Sequence, residues 1–111
     1  MKNDYTLSIC IAGNTAIPCF SAIKSIGYDL KLTYTKGDDG SYHARWEANK
    51  DNRRFSATSP EELLGIVYMC ELRGDCWQAK KDEHREFDKL LENAPVYFEN
   101  EQGELRLIEE E

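Results

Sequence analysis

The sequence predicts an α+β fold. An antiparallel sheet, built from a three-stranded meander with an N-terminal strand and a C-terminal hairpin, carries about three helices packed on one face. Three observations predict it. Tyr28, Leu30, Leu32 and Tyr34 alternate with Asp29, Lys31, Thr33 and Thr35, the two-residue period of a half-buried strand. The alternation resumes beyond Gly37-Asp38-Asp39-Gly40 with Tyr42, Ala44, Trp46 and Ala48 against His43, Arg45 and Glu47, and continues through Arg53-Arg54-Phe55-Ser56-Ala57. Residues 59–74 then hold an apolar helix signposted at both ends. With 111 residues, the chain suits one domain over 1–111.

In chain order, residues 5–12 place Leu7, Ile9 and Ile11 on one face of an N-terminal strand, broken by Gly13-Asn14. A helix follows over about 16–25, with Pro18 in its first turn, Gly27 beyond its end, and Ile17, Phe20, Ile23 and Ile26 as its stripe. In the meander, a three-residue loop with Gly40 in the left-handed position sets Leu32 opposite Trp46 and Lys31 opposite Glu47. A four-residue loop over 49–52 sets Ala48 opposite Arg53, Trp46 opposite Phe55 and Glu47 opposite Arg54. In the central helix Ser59 is the expected N-cap, with Glu62 completing a capping box and Pro60 at the first helical position. Glu61 and Glu62 oppose the helix dipole, Arg73 lies in the last turn, and Gly74 stops the helix. Its apolar surface predicts cover on most sides. A third helix is expected from Cys76 or Trp77 to Glu92 with Asp75 as N-cap. Pro95 ends it, and a hairpin over 96–98 and 105–108 closes the fold.

Composition excludes several functions. Charged residues make up 32% of the chain, with a net charge of −7, which opposes a nucleic-acid backbone as partner and favours a basic protein. The charge is concentrated. Residues 99–111 hold six glutamates and one arginine, leaving −2 for the rest. The longest uncharged run, 5–23, is interrupted by turn signals and has no basic segment before it, so a cytoplasmic protein without a membrane span is expected. Cys10, Cys19, Cys70 and Cys76 lack the spacing of a metal clamp or redox motif and are expected as reduced, buried thiols. Asp38-Asp39-Gly40 does not continue into a calcium loop, and the glycines form no phosphate-cradling motif. No metal or cofactor is expected.

No catalytic constellation emerges. His43 is expected on the polar sheet face and His84 on the apolar stripe of the third helix, satisfied by a hydrogen bond; an enzyme would have to use Cys19 or Cys76 with His84. The expected role is instead non-enzymatic protein binding. Asp38, Asp39, Glu99, Glu101 and Glu104 are the candidate acidic contacts, with Tyr42 and Tyr97 as aromatic anchors. The alternative is a small-ligand or RNA-binding domain using the mildly basic sheet face around Arg45 and Arg54.

Ser59-Pro60-Glu61-Glu62-Leu63-Leu64-Gly65 followed by Arg73-Gly74 and Trp77, after the Trp46 strand and Arg53-Arg54-Phe55-Ser56-Ala57, resembles small bacterial proteins. Some of these resemble the immunity proteins of contact-dependent and polymorphic toxin systems. The resemblance spans roughly residues 20–78. It implies a small acidic cytoplasmic inhibitor that binds one cognate toxin domain, a basic nuclease being the fitting kind, and it carries over no site residue.

Overall fold

The structure, a computed structural model, describes residues 5–108. Its order is α1 (Ala16–Ser25), β1 (Asp29–Lys36), β2 (Tyr42–Lys50), β3 (Arg53–Ala57), α2 (Pro60–Arg73), a 3₁₀ turn (Gly74–Cys76), α3 (Lys81–Asn93), β4 (Val96–Glu99) and β5 (Leu105–Ile108). Strands β1, β2 and β3 form one antiparallel sheet in that order, and β4 and β5 form a separate two-stranded sheet. The fold is α+β. The chain divides into two compact units, residues 1–77 and 78–111.

In the first unit, the apolar face of the meander meets α1 and α2. Ile23, Tyr28, Ala48, Leu63 and Val67 are buried, with Leu30, Trp46 and Phe55 packed around them. Fully burying side chains such as Ile23, Leu63 and Val67 contributes about 1.5–3 kcal/mol each. Phe20 meets Trp46 edge-on with ring centroids 6.2 Å apart, tying α1 to β2.

The β1–β2 register is the expected one: Leu32 faces Trp46 and Lys31 faces Glu47, and Gly40 takes φ 84°. The β2–β3 register differs by two residues. Ala48 faces Phe55 and Trp46 faces Ala57, because β2 runs on through Lys50 and the turn is only Asp51-Asn52. Such two-residue turns match the twist of the strands, and Asp51 accepts the φ of 55° that this one needs. A two-residue shift preserves both faces.

The ends of α2 carry the expected N-cap and stop, but the Glu62 carboxylate accepts from the hydroxyls of Thr58 and Ser59 rather than from the Ser59 N–H of a full capping box. Ser59 Oγ accepts the Glu62 N–H at 3.2 Å, and Gly74, at φ 76°, follows the last residue. Its burial is one-sided, however: Pro60, Leu63, Val67 and Cys70 are buried, while Tyr68 and Leu72 are 56% and 70% exposed. Two helices pack on the sheet face; the third belongs to the second unit.

Residues 5–12 form no strand. Their alternation favours an extended chain, but a strand also needs a ladder partner, and none pairs with them among the described residues. Leu7, Ile9 and Ile11 stand exposed instead.

In the second unit, α3 starts at Lys81, four or five residues later than expected. Asp75 sits in the 3₁₀ turn, where Arg53 Nη2 lies 3.6 Å from its carboxylate. The helix is capped by Glu83 Oε1, which accepts the Lys80 N–H at 2.8 Å. Neither α3, β4 nor β5 has a buried residue. Among the described residues, no helix is long and apolar enough to cross a membrane.

Candidate functional site: two acidic hairpin tips and a polar sheet face

The expected contact residues fall into two groups, one in each unit. At the β1–β2 tip the Gly37 N–H donates to the Ser41 carbonyl at 2.8 Å. Asp39 Oδ1 accepts both the Ser41 N–H at 3.0 Å and the Ser41 hydroxyl at 2.6 Å. Those bonds, the hydroxyl foremost, hold the Asp39 carboxyl below the usual carboxylate range. Asp39 is therefore engaged in shaping its own turn, whereas Asp38 stands exposed. Tyr42 is 66% exposed, with Lys36 Nζ 5.7 Å from its ring centroid.

A string runs on from this tip: Ser41 Oγ lies 3.2 Å from His43 Nε2. Aspartate, serine and histidine in contact invite comparison with a hydrolytic triad, but the protons run the wrong way. A carboxylate only accepts, so the Ser41 hydrogen goes to Asp39 and His43 must donate to Ser41. A nucleophilic serine would have to give its proton to the histidine.

The β4–β5 hairpin gathers the other group. Asn100 Oδ1 accepts the N–H groups of Gln102 and Glu104 at 3.0 and 2.9 Å, and Gly103 takes φ 82°. This side-chain turn sets Glu99, Glu101 and Glu104 around one tip. Tyr97 pairs with Leu107 and Glu99 with Leu105, so these four side chains share one face of the ribbon. Tyr97, Leu105 and Leu107 are each more than half exposed. The hairpin thus brings Tyr97 and the three glutamates together, while Asp38, Asp39 and Tyr42 belong to the other unit.

On the polar face of the meander, Arg54 Nε lies 3.6 Å from Glu47 Oε1. Glu47 directly faces Ser56 rather than Arg54, so that pair is diagonal. Arg45 is exposed and forms no ion pair among the described residues.

The thiols are free, but only Cys70 is buried; Cys10 and Cys76 are exposed and Cys19 is intermediate. Cys10 loses its expected cover with the N-terminal strand. His84 is exposed on α3, not satisfied at a boundary. It lies in the second unit, whereas Cys19 and Cys76 lie in the first. Among the described residues, no group of His, Cys, Asp or Glu is arranged to hold a metal ion.

Two features escaped the sequence reading. One is a groove of about 550 Å³ between α1 and α2, lined by Ala22, Ile26, Leu64, Gly65 and Tyr68 among others; the glycine and tyrosine inside an apolar helix were its available signals. The other is a clasp. The buried Tyr28 hydroxyl donates to Glu71 Oε1 at 2.6 Å, and burial, then that carboxylate, push the phenol up. Partners 43 residues apart leave no local signal.

No family model, curated protein or solved structure matches the chain.

Proposed function

We propose that this chain is a non-enzymatic, cytoplasmic protein-binding module that neutralises a basic partner, as an immunity protein neutralises its cognate toxin domain. The observation that carries the reading is the β4–β5 hairpin. It presents Tyr97, Leu105 and Leu107 on one face beside Glu99, with Glu101 and Glu104 at the tip. An exposed aromatic and aliphatic centre with a charged rim is the arrangement that supplies both affinity and steering in protein interfaces. Opposed charge speeds encounter with a basic surface and disfavours wrong partners. Asp38 is a second acidic point. Asp39, engaged by Ser41, contributes charge more than direct contact.

The test is co-expression with the product of the adjacent reading frame, followed by native mass spectrometry at two salt concentrations. A one-to-one complex that weakens with salt is expected. Reversing Glu99, Glu101 and Glu104 together to Lys should weaken it about tenfold or more, since each such pair contributes roughly 0.2–1 kcal/mol and three are inverted rather than removed. Unchanged affinity would take the hairpin out of the interface.

A further inference from the structure

Helix α3 carries an apolar stripe that no described residue buries. At about 100° per residue, Phe87, Leu90, Leu91 and the C-cap Ala94 fall within an arc of roughly 100° on one side of the helix, the width of a core-facing stripe. Yet Phe87, Leu90 and Leu91 are each more than half exposed, and α3 holds no buried residue. Single apolar residues on a surface are ordinary, but a contiguous row of this kind marks a contact site.

The charges around the stripe say what suits it. The same helical geometry puts Glu86 along one border and Asp88 along the other, with His84 between Asp88 and Leu91. Lys81, Arg85 and Lys89, four residues apart, run down the reverse face, where Arg85 Nη1 lies 3.7 Å from Asp82 Oδ1. Glu86 forms no ion pair among the described residues. It lines a cleft of about 470 Å³ with Leu90, Ala94 and Pro95, and with Lys89, which does not pair with it. Such a cleft offers an apolar wall to the methylenes of a long basic side chain and a carboxylate to its head. Two other occupants fit less well. Helices that lie on a bilayer are rich in Lys and Arg on the polar face, whereas Lys81–Asn93 sets three basic side chains against five carboxylates. A second copy would bring the acid-bordered stripe against its like, in a chain of net charge −7.

We infer that α3 is a docking helix, whose stripe seats in an apolar groove of a basic protein partner. Phe87, Leu90 and Leu91 are the anchors, at the spacing by which a helix fills such a groove. Lysine or arginine of the partner lines the groove's edges, and one such side chain enters the cleft beside Glu86. The inference rests on the basic partner proposed above and gives it a second point of contact, apart from the tip of the β4–β5 hairpin.

The experiment uses the full chain and the product of the adjacent reading frame, with affinity read by titration calorimetry and α3 followed by amide hydrogen exchange. Exchange along Lys81–Asn93 should slow in the complex. Phe87→Ala and Leu91→Ala should each weaken binding about tenfold or more, as truncation of a buried anchor does. Alanine is the better helix former, so these losses report contact rather than a melted helix. Glu86→Lys should weaken binding by a similar factor through charge, and Arg85→Ala, on the reverse face, should leave it unchanged. If the Phe87→Ala, Leu91→Ala double variant keeps full affinity while reversal of Glu99, Glu101 and Glu104 lowers it, α3 is outside the interface and the hairpin reading stands. No complex with the wild-type chain removes that reading and this inference with it. Two results would overturn the inference in favour of another occupant. One is binding to phosphatidylcholine–phosphatidylglycerol vesicles that the double variant loses, and the other is a dimer of the free chain that it loses.

Discussion

At the scale of single residues, the start of α2 shows how chemistry fixes a helix end. Glu62 accepts hydrogen bonds from the hydroxyls of Thr58 and Ser59, and these, Thr58 first, hold its carboxyl below the ordinary value. A carboxylate depressed in the folded state stabilises it above the unfolded pKa, and that stabilisation disappears as pH falls through the folded value. Wild type should therefore melt above Glu62→Gln at neutral pH, with the gap closing under acid below the usual carboxylate range. Thermal melts across that range decide it; a gap independent of pH would mean the charge plays no part. The Ser59 N-cap was legible in the sequence because it spans four residues; the bond from the Thr58 hydroxyl was not among the expectations. The Tyr28–Glu71 clasp was not legible, because nothing local to Tyr28 distinguishes a buried phenol with a distant acceptor from any other strand tyrosine. The involvement of Asp39 with Ser41 was equally hidden, since an acid at a turn reads the same whether it faces a partner or its own backbone.

Among the elements, α2 holds a contradiction between helix propensity and sequence. Gly65 lies in mid-helix, and a Cβ built there meets nothing within 4 Å. Glycine at such a position costs about 0.5–1 kcal/mol relative to alanine, and the packing of this chain does not require it. Gly65→Ala should raise stability by about that amount in urea unfolding, whereas a loss would reveal strain that the geometry does not show. The meander was legible because two-residue alternation specifies faces. The β2–β3 register was not fully so, because a two-residue slip keeps the faces and only the turn distinguishes the alternatives. The N-terminal strand failed for a different reason. Alternation states that a segment can be a strand, and says nothing about whether an edge receives it. The hairpin site was read from its acids and Tyr97, but that Leu105 and Leu107 share the face of Tyr97 was not, since it depends on the pairing of the two strands.

Over the whole molecule, burial is divided unevenly. The first unit holds every residue of the buried cluster, while no element of the second has a buried residue. A segment of this size is below the roughly 40 residues at which a core usually suffices unaided. Residues 1–77 alone should therefore unfold in one cooperative transition, and 78–111 alone should show none, as followed by circular dichroism against urea. A sigmoidal transition in the shorter piece would contradict this division. The exposed N-terminal stretch has a further consequence, for the protein in concentrated solution. Residues 5–12 carry no formal charge, and the outer sides of β1 and β3 have no ladder partner among the described residues. Each molecule thus holds both an exposed run of alternating apolar residues, Leu7, Ile9 and Ile11, and an edge able to receive such a run, the combination that drives edge-to-edge aggregation. Mutual repulsion from the net charge of −7 opposes that association, and added electrolyte screens it over a Debye length of about 8 Å at physiological ionic strength. Colloidal stability should accordingly be greatest in dilute, low-salt buffer, the conditions that also favour the charge-driven encounter proposed for the hairpin.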